Sequence, residues 1–237
     1  PALIPMLSKI VLADTNVGEI SMNRWPALED VLISDHYNPT SIGGISDLPK
    51  LKFLFITRNN LQKIGRIKGL PQLNVLDISQ NQLSAIPQLD DLPLLKVLLA
   101  GYNRIADIGP FPSQLETLDL SGNPLGSLKD ISNLPQLREL SLNQMQGPGL
   151  SSLKDLKDLP SLEVLSLWSN SINNVEDLLS FPKLRQLDLS SNLIEDLSPL
   201  GKLEHLAHIV AIDNPLQDRT CPLRYGTCRF NLFPNLE

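Results

Sequence analysis

The chain has 237 residues, of which 42% are hydrophobic and 19% are charged, and its formal net charge is −6 at pH 7. This composition supports a large buried core, and we expect no membrane span because no stretch approaches about 18 consecutive apolar residues. The negative charge argues against nucleic acid as a partner, since that affinity depends on neutralising phosphates.

A leucine-rich phrase, LxxLxLxxNxL, recurs along nearly the whole chain at intervals of 20 to 25 residues. The first leucines of the ten phrases are Leu7, Leu28, Leu51, Leu73, Leu95, Leu115, Leu137, Leu162, Leu184 and Leu206. The ninth position is asparagine at Asn59, Asn81, Asn103, Asn123, Asn170, Asn192 and Asn214, and it is Thr15, His36 and Met145 in the other three phrases. A fixed period of this kind indicates a solenoid of stacked units.

Each phrase is predicted to contain a short, half-buried strand. Its apolar residues alternate with period two, so the fourth and sixth positions, such as Leu76 and Ile78, point inward. The third, fifth and seventh positions then point outward. The later Leu83, Ile86 and Leu89 recur at three-residue spacing, which favours a 3₁₀-like or extended return path. A side-chain amide at the ninth position can satisfy buried backbone groups where the strand turns away.

The phrase resembles the leucine-rich repeat family. Its 22-residue length and recurring LPxL opening are similar to the short class found in bacterial internalins and in a regulatory subunit of protein phosphatase 1. The resemblance runs from about Leu7 to Leu216. It implies an α/β solenoid curved like a horseshoe, with a parallel sheet on the concave face and 3₁₀ or extended segments on the convex side. We expect residues 1–216 to form this solenoid of about ten repeats and residues 217–237 to form a C-terminal cap.

The third repeat differs from the rest of the chain in charge. It holds six basic residues and no acidic residue, whereas the remainder of the chain sums to −12. Its outward aromatic residues are Phe53 and Phe55, and such a combination can serve as a nucleic-acid platform. The register separates Arg58, near the phenylalanines, from Lys63 and Arg66 on the return path. A solvated rim beside an apolar protein contact is therefore the preferred interpretation.

Both cysteines, Cys221 and Cys228, lie in the expected cap. The resemblance extends to extracellular leucine-rich repeat proteins whose C-terminal flanks are closed by disulfides, and it implies a bridge here; two reduced thiols are the alternative. Disulfides persist in oxidising compartments. No acceptor site for N-glycosylation occurs, because the motif at Asn38 is blocked by proline, and this favours a bacterial source.

We also considered a zinc site and predict none. His205 and His208 together with the two cysteines offer nitrogen and sulfur ligands, but the cysteine spacing is wider than in usual zinc pairs. The histidines stand at strand spacing. The sequence predicts no other cofactor.

Catalysis is not predicted either. No nucleophile elbow, metalloprotease motif or phosphate-binding glycine loop is present. Asp77, Asp119 and Asp188 share one outward strand position and could imitate a pair of hydrolase carboxylates. They stand on non-adjacent strands, so we predict that the protein is not an enzyme.

Recognition of another protein is the predicted function, because outward apolar residues have no core to enter. The candidate partner-binding residues on the concave face are Leu32, Phe53, Phe55, Arg58, Val75, Asp77, Val97, Leu99, Tyr102, Asp119, Trp168 and Asp188. Two alternatives stay open: another copy of the chain covers these residues, or they are scattered surface hydrophobics without a role.

Two kinds of recognition protein fit the sequence. The first is a bacterial module with a role in virulence that is secreted or exposed at the cell surface or in the periplasm, and that binds a partner protein. The second is a cytoplasmic regulatory subunit that docks an enzyme such as a phosphatase. The redox state of Cys221 and Cys228 distinguishes them, because a bridge favours the first and free thiols favour the second.

Overall fold

The structure is a computed structural model that describes residues 6–13, 19–35 and 41–231. The chain forms two compact units, residues 1–126 and residues 127–237. Within the described ranges, no helix has the length and apolar character needed to cross a membrane.

The first unit is built on a parallel sheet with one strand from each of its six phrases. In every case the strand begins two residues after the first leucine of the phrase. The strands are β1 (Lys9–Ala13), β3 (Asp30–Ser34), β5 (Phe53–Thr57), β7 (Val75–Asp77), β8 (Val97–Leu99) and β9 (Thr117–Asp119), paired in that order. This is the stacking that the repeat length predicts.

The return path of the first three phrases forms a second parallel sheet, which the sequence did not predict. Its strands are β2 (Glu19–Asn23), β4 (Ser41–Ser46) and β6 (Ile67–Lys68). Ile42, Ile45 and Ile67 are buried and face the core. The next return path contains Pro87, which lacks the backbone N–H that another ladder bond needs.

The second unit is also a parallel-stranded solenoid. Its strands are β10 (Glu139–Ser141), β11 (Val164–Ser166), β12 (Gln186–Asp188), β13 (His208–Val210) and β14 (Thr227–Arg229), paired in chain order. Two return paths contain 3₁₀ helices, Glu176–Ser180 and Ser198–Lys202, as the three-residue spacing predicts. The strand β14 lies in the expected cap region and was not predicted. The leucine-rich repeat solenoid and its parallel sheet are therefore confirmed.

The predicted alternation is confirmed at the fourth and sixth positions. Leu54, Leu76 and Leu98 are aligned on successive strands and are fully buried. The expectation for the seventh position is wrong in several repeats, because Ser34, Ser121 and other seventh-position residues are buried. Ile212, expected to be outward, is only 8% exposed. The strand ends here and the chain turns toward the core, so this position no longer follows the alternation.

The asparagine ladder is present. The Asn81 amide donates to the carbonyl oxygens of Ile56 (2.7 Å) and Ile78 (3.1 Å), and its Oδ1 accepts from the backbone N–H groups of Asn59 and Leu61. Each asparagine therefore joins its own phrase to the preceding one. Amide-to-carbonyl bonds of the same kind are made by Asn59, Asn103, Asn123, Asn170, Asn192 and Asn214.

Candidate functional site

The outer face of the main sheet in the first unit exposes apolar side chains. On β5, Phe53 is 40% exposed and Phe55 is half-buried, whereas Leu54 and Ile56 between them are completely buried. The strand alternation thus places the two phenylalanines on the solvent side, as the register predicts. They have no room in the core, which the two aliphatic residues fill.

The outward apolar residues, of which Val11 and Phe53 are exposed and the others half-buried, form two staggered rows across adjacent strands. Pairing aligns Val11, Leu32 and Phe55 in one row. It aligns Phe53, Val75 and Val97 in the other. We call these residues, together with the neighbouring Leu99, the outer-face patch: Val11, Leu32, Phe53, Phe55, Val75, Val97 and Leu99. Neighbouring parallel strands are about 4.8 Å apart, so aligned side chains are close neighbours and the patch runs without a gap from strand to strand.

One member of the patch, Val11, was absent from the predicted binding residues. It is 53% exposed on β1 and stands beside Leu32. The same alternation placed it outward, so the signal was available in the sequence. It extends the first row to the first strand of the sheet.

Tyr102 stands at the carboxyl end of β8, near the patch, with 46% of its surface exposed. Its backbone has a positive φ of 56°, a conformation shared by the residue at the corresponding position of most phrases. In the next phrase that residue is Gly122, whose φ is 68°. A Cβ at Gly122 would lie 2.7 Å from Cδ1 of Tyr102, so the glycine leaves the space that the tyrosine ring occupies.

Arg58, predicted as a binding residue, is already engaged by its neighbour in the preceding phrase. Its Nε and Nη2 contact the two carboxylate oxygens of Asp35 at 2.8 and 3.0 Å. Two such parallel bonds hold the guanidinium in one orientation. The sequence did not identify Asp35, because the pairing depends on how consecutive phrases align.

Other basic groups of the third repeat are paired in the same way. Lys52 contacts Glu29 at 2.8 Å, and Arg66 lies 3.9 Å from Asp91. The hydrogen bond and the charge of Lys52 hold the pKa of the Glu29 carboxyl below its usual value. Three of the six basic residues of this repeat, Lys52, Arg58 and Arg66, therefore have an acidic partner in a neighbouring repeat.

The three predicted aspartates share one local role. The Oδ1 atoms of Asp77, Asp119 and Asp188 accept the backbone N–H two residues further on, each at 2.9 Å. On the first sheet Asp77 and Asp119 flank Leu99 and stand two strand steps apart, which is about 10 Å. At that distance they do not form a hydrogen-bonded carboxylate pair.

The second unit contains the other two predicted residues. Trp168 is half-buried at the end of β11, and its backbone N–H donates to Oδ1 of Asn143. The Ser166 hydroxyl donates to the same oxygen at 2.8 Å. Asp188 lies on the adjacent strand opposite Ser166. Trp168 thus stands next to polar residues of its own strand and of the adjacent phrases.

The second unit also has an open groove of about 810 Å³ outside its sheet. Three prolines from consecutive Leu-Pro or Phe-Pro turns line it: Pro135, Pro160 and Pro182. Ligand sites usually combine an apolar pocket with convergent polar groups. The groove is also lined by Asn133, Lys157, Asp158 and Ser180, and we do not assign it a function.

The region expected to form the cap contains a disulfide between Cys221 and Cys228. Cys228 is aligned with Ile209 of the preceding strand, so the bridge stands where the other phrases place an inward aliphatic residue. Nδ1 of His208 lies 2.8 Å from the hydroxyl of Thr227. The apolar residues Phe230, Leu232, Phe233 and Leu236 are expected to cover the end of the solenoid, and Phe230 is half-buried. Leu232, Phe233 and Leu236 lie outside the described residues.

Three sequence-family models match the chain. "Leucine rich repeat" matches residues 49–105, "Leucine Rich Repeat" matches residues 114–137, and "Leucine Rich repeats (2 copies)" matches residues 160–202. No curated protein sequence matches the chain.

Solved structures with this architecture come from several organisms. An internalin (inlF) from Listeria monocytogenes superposes with a TM-score of 0.63 at 22% identity, covering 90% of this chain and 69% of the other. The mouse RP105/MD-1 complex gives 0.70 at 22% identity, covering 89% of this chain and 39% of the other. A Shigella effector LRR domain gives 0.52 at 26% identity, covering 75% of this chain and 80% of the other.

Proposed function

The chain belongs to the leucine-rich repeat proteins, and on this premise we propose that it binds a partner protein through the outer-face patch of its first unit. The observation that carries the proposal is the continuity of the two apolar rows across β1, β3, β5, β7 and β8. Scattered surface hydrophobics are ordinary, but a continuous exposed patch is typical of an interaction site.

The chemistry of the patch suits a binding hot spot. Phe53 and Phe55 offer large apolar surfaces with few rotatable bonds, so binding orders them at low entropic cost. The strand beneath them is held by fully buried Leu54 and Ile56. A rigid sheet presents these anchors already in position, which reduces the cost of association.

We further propose that the protein is bacterial and is secreted or exposed at the cell surface, in an oxidising environment. The disulfide Cys221–Cys228 supports it, because such bridges persist outside reducing compartments. The likeness to the Listeria internalin supports only the fold. A thiol assay on unreduced protein in denaturant tests the location, and two free thiols would favour a cytoplasmic regulatory subunit instead.

A matched pair of variants tests the binding surface. Phe55→Ser removes an anchor from the patch, and Val164→Ser changes a half-buried apolar residue on the sheet of the second unit. The intact protein is used to capture a partner, which is then purified and titrated against both variants. We expect Phe55→Ser to weaken binding by about 2 kcal/mol or more, roughly 30-fold, and Val164→Ser to leave it unchanged. Equal affinities for the parent and Phe55→Ser would refute the proposal.

A further inference from the structure

We propose that the partner presents arginine or lysine beside its apolar anchors, and that Asp77 and Asp119 receive these cations. This inference rests on the proposed function, because it concerns the chemistry of the partner that covers the outer-face patch. It follows from how the charges on this face are paired.

The basic groups of the outer face are neutralised within the protein. Lys9 contacts Asp30 at 2.7 Å, and Arg58 is held by Asp35 in two parallel bonds. At the amino-terminal ends of β3 and β5, Lys52 pairs with Glu29 of the preceding phrase. Each pair joins consecutive phrases, so these cations are oriented toward their own neighbours and are not directed at a partner.

Two carboxylates on the same face have no cationic neighbour within ion-pair distance among the described residues. Asp77 is aligned between Phe55 and Leu99, and Asp119 is aligned with Leu99 on its other side. The remaining charge of the face is therefore negative and lies within or directly beside the apolar patch.

Local hydrogen bonds fix the orientation of both carboxylates. Oδ1 of Asp77 accepts from the N–H of Ser79, and Oδ1 of Asp119 accepts from that of Ser121. Both side chains are half-buried. In each carboxylate the other oxygen has no hydrogen-bond partner among the described residues and is available to a donor from outside.

A bound partner would remove water from these two carboxylates. Burying a charge without a counter-charge costs several kcal/mol, so a neutral or acidic partner would be penalised here. A guanidinium or ammonium group within about 4 Å offsets this cost and makes the complex specific. The spacing suits two cations about 10 Å apart with an apolar group between them, over Leu99.

The same charges argue against a second copy of the chain as the occupant of this face. In a twofold dimer the identical surface meets itself, so Asp77 and Asp119 would approach carboxylates of the same sign. Like charges brought together without counter-ions are destabilising. A cationic, apolar protein segment is therefore the occupant that the surface favours.

Selection from a displayed library of short random peptides tests the inference on the full chain. We expect the enriched peptides to combine aromatic or aliphatic residues with arginine or lysine. The double variant Asp77→Asn and Asp119→Asn should bind synthetic copies of these peptides at least about tenfold more weakly. An amide oxygen can still accept the local backbone bonds, so this variant keeps the turns. Asp196→Asn in the second unit, whose Oδ1 likewise accepts the backbone N–H two residues further on, is the matched control and should bind like the parent.

Three outcomes separate this inference from the proposed function. Suppose that the peptides bind Phe55→Ser more weakly than the parent but bind the double asparagine variant with the same affinity as the parent. This result would overturn the cationic preference alone. If no peptide is enriched, or if the enriched peptides bind Phe55→Ser with the same affinity as the parent, both proposals are overturned. Salt adds a second readout, since added salt should weaken binding to the parent more than binding to the double variant. Equal salt dependence would also count against the inference.

Discussion

Truncation of Asn103 to alanine measures what one rung of the asparagine ladder contributes to stability. The residue is only 2% exposed. Its Oδ1 accepts from the N–H of Leu83 at 3.0 Å, and its amide donates to the carbonyls of Ile78, Ala100 and Gly101 at 3.0 to 3.3 Å. The truncation therefore removes at least four hydrogen bonds at once.

These bonds do not contribute equally to the expected loss. The Ile78 carbonyl also accepts from Asn81, and the Ala100 carbonyl also accepts from Asn123. The Gly101 carbonyl accepts from another backbone N–H as well. The three carbonyls thus keep a donor, whereas the N–H of Leu83 is left unsatisfied.

An orphaned buried N–H costs about 1 to 3 kcal/mol, and the lost amide also leaves a small void. We therefore expect Asn103→Ala to lower the free energy of unfolding by about 2 to 3 kcal/mol. Urea unfolding followed by circular dichroism measures this loss as a lower midpoint at unchanged slope.

Met145 offers the matched control, because it occupies the ladder position of its phrase without a side-chain amide. It is nearly buried, and its backbone N–H donates to Oδ1 of Asn170 whatever its own side chain is. Met145→Leu conserves volume and should change stability by less than about 1.5 kcal/mol. If Asn103→Ala unfolds at the same urea concentration as the parent, the ladder is not stabilising and the reasoning is wrong.

Three further predictions address the register, the cap and one ion pair. Ile56→Ser should destabilise the first unit by about 3 kcal/mol or more, because it empties a fully buried site and buries a hydroxyl; a parental melting temperature would mean that the strand register is wrong. Replacing Cys221 and Cys228 by serine should cost about 2 kcal/mol, since they close only a short loop, and unchanged melting of the native protein in reductant would contradict this. Lys52→Met should raise the pKa of Glu29 toward its ordinary value in an NMR titration, because Lys52 stabilises the carboxylate. The stabilisation from this pair is present above the unfolded-state pKa and is lost as pH falls through the lower folded-state pKa; an unshifted titration would exclude the ion pair.

Much of the fold could be read from local periodicity. The period-two alternation in each phrase predicted that Phe53 and Phe55 face solvent while Leu54 and Ile56 face the core, and the structure confirms both. The regular asparagine predicted a polar residue that satisfies backbone groups between phrases, which the bonds of Asn81 confirm. Both features repeat at short range, so they leave a pattern in the sequence itself.

The features that the sequence did not predict depend on contacts between phrases. The second parallel sheet needs three return paths of unequal length to come into register, and the strand β14 needs the cap to align with β13. The burial of Ile212 follows from where the strand ends, which the alternation does not specify. None of these features has a local pattern.

The repeat can be read from the chain without a structure, and so can the orientation of the strand side chains and the chemistry of the asparagine ladder. Each depends on residues within one phrase and on an unchanging period. Which charges meet depends instead on how the phrases stack. Arg58 and Asp35 occupy the same position of consecutive phrases, 23 residues apart in the chain, and are brought together by stacking. Among the described residues, Asp77 and Asp119 are left without a cation. Ion pairing acts across neighbouring phrases over a few ångströms, so the stacking of the chain sets it and a single phrase does not.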